Sequence, residues 1–129
     1  MKLELTVRSL LPSDAESDLG RLIPEGIAAQ NAVIAEQGGR VIGVMAISEH
    51  GECVVAEVTQ KHREQGIGTA MMAVLEGRAR AADLSVLTAK PPHAARHFFA
   101  KQGWLVRHEA AGSTLLMDKP LFDAEQAVA

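Results

Sequence analysis

The stretch Lys61-His62-Arg63-Glu64-Gln65-Gly66-Ile67-Gly68-Thr69-Ala70 decides how this chain is read. Three cationic or titratable side chains run into two glycines one residue apart. An apolar-periodic segment follows at once, with Ile67, Met71, Val74 and Leu75 on one helical face. Glycine inside a helix costs roughly 1 kcal/mol against alanine, so glycines at a helix start imply a close approach to the backbone. The first four N–H groups of a helix have no internal partner, and with the helix dipole they form an anion site. Gly66 and Gly68 would let the backbone curl around a diphosphate without Cβ clashes, and Lys61, His62 and Arg63 would add charge-assisted contacts. The plain alternative is a tight strand-to-helix turn with solvated charges. Rossmann and P-loop readings fit poorly, because GIG is not G-x-G-x-x-G and no Gly-Lys-Ser/Thr follows.

Outward from this loop the chain reads as alternating short elements. Upstream, Leu3, Leu5 and Val7 alternate with polar residues as in a half-buried strand. Ser13-Asp14-Ala15-Glu16 has the form of a capping box and predicts a short helix carrying Leu19, Leu22 and Ile23, stopped before Pro24. Asn31–Glu36 and Val41–Ser48 read as a hairpin around Gly38-Gly39, and Cys53–Val58 as the next strand. Downstream, Ser85–Thr88 is a strand, Pro91-Pro92 break the chain, and Ala94–Gln102 is a helix ended by Gly103. Trp104–Arg107 and Ser113–Asp118 close the sheet. The order predicts one α/β (α+β) domain over residues 1–120, a mixed, mostly antiparallel sheet flanked by helices, with 121–129 as a tail.

Composition narrows the function classes. With 129 residues, 47% apolar and 22% charged, the chain can bury one core. A net charge of −3 with interspersed signs argues against a nucleic-acid partner. So does the scarcity of aromatics: one Trp, three Phe and no Tyr give no stacking platform. The single Cys53 cannot form an internal disulfide, which points to a reducing, cytoplasmic setting. No signal peptide and no apolar run of membrane-spanning length are expected, hence no membrane partner.

The run Val58–Leu75 resembles motif A of the GNAT acyl-CoA-dependent N-acyltransferases, Arg/Gln-x-x-Gly-x-Gly/Ala, met here by Arg63, Gly66 and Gly68. ARHFFAKQGW, ending at Trp104, resembles the family's later A-x-x-F-[YF]-x-x-x-G-[FW] segment, and the element order matches over about residues 2–119. The resemblance implies the GNAT fold and acetyl-CoA as acyl donor, with no metal. It implies that main-chain amides of Gln65, Gly66, Ile67, Gly68 and Thr69 bind the pyrophosphate, aided by Arg63. It implies further that the fourth and fifth strands splay apart and that Val58 offers backbone hydrogen bonds to pantetheine in the gap. A weaker likeness to amino-acid acetyltransferases of the N-acetylglutamate synthase type rests on Gly51-Glu52, Val86-Leu87-Thr88, Phe98-Phe99 and Leu115-Leu116-Met117. The segment Pro24–Asn31 is much shorter than theirs, so the acceptor is not carried over.

Acyl transfer to an amine needs a base for the ammonium, since alkylamines have pKa near 10, and donors for the developing oxyanion. Glu52 lies eleven residues before Arg63, an offset at which several family members carry the general base, and is the first catalytic candidate. Glu57, five residues on, is expected on the other side of the strand. Phe99 stands where many family members have a Tyr acid, and Pro92 where many have an Asn on the cofactor. Cys53 reads as core rather than nucleophile, and His93 with His97 lacks a third metal ligand. Met71, Met72 and Met117 read as core fillers, Phe98, Phe99 and Trp104 as packing of the last helix, and Arg96, Lys101 and His62 as solvated. The reading is an N-acetyltransferase for a small-molecule amine, with an amino acid and a homodimer left open. The rival is a non-catalytic acetyl-CoA-binding regulator docking a partner enzyme; protein N-acetylation is a third reading.

Overall fold

The computed structural model describes residues 4–109 and 115–122. Seven strands and two α-helices follow in the order β1 (Leu5–Ser9), β2 (Ala32–Gln37), β3 (Arg40–Ile47), β4 (Glu52–Val58), α1 (Ile67–Ala81), β5 (Val86–Ala89), α2 (Arg96–Lys101), β6 (Leu105–Glu109) and β7 (Leu115–Pro120). The strands form one sheet in the order β1-β2-β3-β4-β5-β7-β6. Every pairing is antiparallel except β4 with β5. The mixed sheet flanked by helices is the architecture read from the sequence. Lys2, Leu3, Ser113 and the tail beyond Phe122 lie outside the described residues. Leu121, read as the first tail residue, is buried and accepts a bond from Arg80 Nε at 2.8 Å through its carbonyl.

The apolar stripe of α1 drives the packing. Met71, Met72, Leu75 and Ala79 are fully buried against Val33, Ala35, Ile42, Met45 and Ile47 of β2 and β3 and Leu87 and Met117 of β5 and β7. A Cβ on Gly43 of β3 would come within 2.8 Å of Met71 Cε, so this glycine lets the helix settle onto the sheet. Glu76, on the same helix, is buried and paired with Lys119 of β7 at 3.0 Å. Lys119 also reaches the Gln102 carbonyl, which ties α1, the end of α2 and β7 together.

The expected N-terminal helix is absent. Instead two 3₁₀ turns, Pro12–Glu16 and Gly20–Leu22, carry the chain across. Ser13 does not cap. Leu11 holds the cap position, and its amide donates to Asp14 Oδ2 at 2.7 Å. Asp14 is buried and gripped by Arg8 through two bonds of 2.9 and 2.8 Å, while Arg8 Nε also reaches Glu36 at 2.7 Å. Ser17 Oγ donates to the Asp14 carbonyl and accepts from the Gly20 amide. A Cβ on Gly20 would lie 1.8 Å from that carbonyl. Side chains thus capture the backbone groups that a helix would have used, as Ser and Asp do when they compete with helical bonding.

Candidate active site

The one parallel pairing is also the shortest. β4 and β5 meet only at Glu52↔Thr88 and Cys53↔Ala89, after which Pro91 and Pro92, lacking amide donors, cannot continue a ladder. From Val54 onward β4 parts from β5. A cavity of about 310 Å³ opens there, walled by Val54 to Glu57 of β4, Lys90 to Pro92 after β5, Ala95 and Phe99 of the last helical segment, and Leu22. Thr59 donates across to Ile42 at 2.8 Å, so the neighbouring peptide groups of Val58 turn the other way, toward the gap. The strands part where the resemblance implied they would, and there the Val58 carbonyl is met by Arg63.

A β-bulge shapes this wall. Ala46 pairs with Val55 but Ile47 with Cys53, leaving Val54 as the extra residue. Cys53, Ala56 and Val58 all pack on the main core, although simple alternation would separate Cys53 from the other two. Glu52 and Glu57 therefore share the opposite face, which corrects the expectation that they point apart. They are not equivalent. Glu52 is exposed at the start of β4 and does not wall the cavity, whereas Glu57 does. The Glu52 amide donates to Ser48 Oγ at 3.2 Å.

At the far end of β4, Gln60–His62 form a 3₁₀ turn in which Thr59 Oγ1 and His62 Nδ1 lie 2.7 Å apart. Glu64 (φ 64°) and Gly66 (φ 80°) take left-handed backbone, and Gly66 caps α1. The first helical bond runs from the Ala70 amide to the Gly66 carbonyl, so the amides of Ile67, Gly68 and Thr69 precede it. Beyond its chain neighbours no atom lies within 4 Å of a Cβ placed on Gly66, so space does not require a glycine there; the left-handed angle does. Gly68 is different, since a Cβ there would meet the Phe98 ring at 2.8 Å. Thr69 Oγ1 accepts from Gln102 Nε2 at 2.8 Å, and Gln65 Nε2 bonds back to the Lys61 carbonyl. Arg63 does not extend outward: its Nε donates to the Val58 carbonyl at 3.1 Å and its Nη2 stands 3.7 Å from Glu57 Oε2.

Other expected residues fall as follows. Burial pushes the Cys53 thiol up to about 12, against a backbone hydrogen bond at Val55, and the Glu52 charge adds to the rise. A thiol held protonated is no nucleophile at neutral pH. Phe99 is buried, edge-on to both Phe98 and Trp104, with ring centroids at 5.7 and 4.8 Å. Among the described residues no group of three His, Cys, Asp or Glu side chains could hold a metal ion, and no helix is long and apolar enough to cross a membrane. Sequence reasoning missed Leu22 and Lys90 as cavity neighbours. The first was assigned to a helix that does not form, and the second carries no motif.

A sheet that splits beside a glycine-capped helix defines an acyl-CoA N-acyltransferase architecture. The chain belongs to the acetyltransferase (GNAT) family, whose sequence model matches residues 6–104. Solved structures show the same fold at low identity. An acetyltransferase of the GNAT family from Staphylococcus aureus superposes with a TM-score of 0.79 at 8% identity, over 92% of this chain and all of that one. The ribosomal-protein-S18-alanine N-acetyltransferase of Escherichia coli gives 0.73 at 13%, over 94% and 96%. N-acetylglutamate synthase from Neisseria gonorrhoeae, complexed with coenzyme A and N-acetylglutamate, gives 0.70 at 18%, over 95% of this chain but 36% of that one. No curated protein matches the chain by sequence.

Proposed function

We propose that this protein transfers an acetyl group from acetyl-CoA to the primary amine of a small molecule. The observation that carries the reading is the β4–β5 gap, walled by Phe99, beside the Gly66-capped start of α1, on which the adjacent Phe98 packs. The residues present suit the donor. Amides of Gln65 to Thr69, with the helix dipole behind them, are a site for the linked phosphates. The Val58 backbone, turned into the gap, suits the amide-bearing arm. The donor supplies an activated thioester, and the chain's own groups do the rest. The arm is oriented along β4, Phe99 and the prolines keep water from the wall, and Glu52 takes the proton of the acceptor ammonium, directly or through water, before attack. A thiol with pKa near 8.5 leaves without an acid, so a Phe at position 99 is compatible with turnover. The free Cys53 suits a reducing cytoplasm.

Two observations favour the non-catalytic regulator: Glu52 stands outside the cavity wall, and Phe99 has no proton to give. The two readings part on Glu52→Gln. An acetyltransferase using this base loses turnover by about 10²-fold while calorimetry shows acetyl-CoA affinity unchanged. Thiol release screened over amino acids, polyamines and amino sugars identifies the acceptor. Acetyl-CoA binding with no thiol release from any acceptor class would sink the catalytic reading.

A further inference from the structure

Arg63 occupies a place that the proposed donor needs. The Val58 carbonyl is a β4 acceptor turned into the gap, and Arg63 Nε already donates to it at 3.1 Å. The same guanidinium leans on Glu57, whose carboxylate walls the cavity, at 3.7 Å. That pair is loose: both side chains are about half exposed, at 57% and 44%, and solvent screens such contacts. Meanwhile the start of α1, four residues further on, opens on a left-handed Gly66, and the amides of Ile67, Gly68 and Thr69 precede its first helical bond. A guanidinium prefers a phosphate, which it can grip with two parallel charge-assisted bonds, over one carbonyl and a distant carboxylate.

We propose that Arg63 is a displaceable cover on the Val58 carbonyl, which makes the gap select acyl donors that carry a diphosphate over the same arm without one. The proposal rests on the acetyl-CoA reading above. A ligand with a diphosphate draws the guanidinium to the helix start, and the uncovered carbonyl then accepts from an amide of its arm. A ligand with the arm alone must displace Arg63 with nothing to offer it. Arg63 is thus a specificity-determining residue with effects of opposite sign on the two ligand types. A residue that only attracts anions would leave the bare arm indifferent to its removal.

The test is binding, not turnover. Coenzyme A and pantetheine are titrated into the intact protein and into Arg63→Ala, by calorimetry for the first and by backbone amide shifts of Val58 and Thr59 for the weaker second. Removing the side chain is expected to weaken coenzyme A about tenfold and to tighten pantetheine roughly two- to fivefold, the span an exposed pair of this kind can contribute. Glu57→Gln loosens the cover without touching the helix start. It is expected to tighten pantetheine and to leave coenzyme A no weaker. Pantetheine affinity in Arg63→Ala equal to or below that of the intact protein overturns the cover while leaving the acetyl-CoA reading in place. Failure of the intact protein to bind coenzyme A overturns both.

Discussion

At position 66 the backbone is left-handed, with φ of 80°, and a Cβ there would touch nothing; two residues on, a Cβ would strike Phe98. The two glycines of one short motif therefore answer to different constraints, one conformational and one steric. Gly66→Ala asks a residue with a Cβ to hold a left-handed angle, a cost of roughly 1–2 kcal/mol. Gly68→Ala asks Phe98 to move, which disturbs the aromatic row of Phe98, Phe99 and Trp104 and costs about 1–3 kcal/mol. Their effects on the donor should also differ. Gly68→Ala displaces α2 from the start of α1 and is expected to weaken acetyl-CoA several-fold. Chemical denaturation paired with calorimetry reads both quantities. A Gly68→Ala variant with unchanged stability would show that the ring yields freely. The sequence predicted that the loop needs glycine, but not which neighbour requires it, because Phe98 lies thirty positions further on.

Among the elements, two readings turned on partners that local pattern does not contain. The run Glu52–Val58 is apolar apart from its two glutamates, so nothing in it marks where β3 slips against it. The bulge at Val54 arises from pairing, and it alone brings Glu57 to the face of Glu52. Pro12–Leu22 failed differently. Its capping-box spacing was present, but Asp14 was claimed by Arg8 from β1 and by the Leu11 amide. That capture predicts a pH dependence. The bonds from Arg8 hold the Asp14 carboxyl below its ordinary value of 3.8, against the opposing effect of burial. A folded-state value below the unfolded one stabilises fully above about 3.8. That stabilisation is lost as pH falls through the lower, folded-state value. Asp14→Asn should cost roughly 2–4 kcal/mol at neutral pH, since it leaves Arg8 half-buried with Glu36 as its other partner. The variant's stability should then fall less steeply than the parent's below pH 4. Parallel acid limbs in urea titrations would remove Asp14 as the cause.

Across the whole molecule the sheet is continuous but unevenly joined. β1 to β4 form one antiparallel block and β5, β7 and β6 another, and between them the ladder consists of two residue pairs at Glu52 and Cys53. The remaining link is α1, whose Leu75 and Met72 share one core with Leu87 and Met117, and whose Glu76 holds Lys119. A donor seated in the gap would touch β4 on one side and the Pro91–Phe99 segment on the other, so it would strengthen the weakest seam. Ligand binding to the folded state alone stabilises by about 2.7 kcal/mol at a hundredfold excess over Kd, which for a chain of this size is roughly 8–10 °C in Tm. The gain should not be spread evenly. Hydrogen exchange is expected to slow most in the amides of Val54 to Thr59 and in β5, which border the seam, and least in β1 and β2, which lie at the opposite side of the sheet. Acetyl-CoA should produce both changes, and the acetyl group should matter little to either. A rise in Tm with protection confined to the loop before α1 would mean that the phosphates bind while the arm stays outside, and the gap would then lose its role as the acyl site.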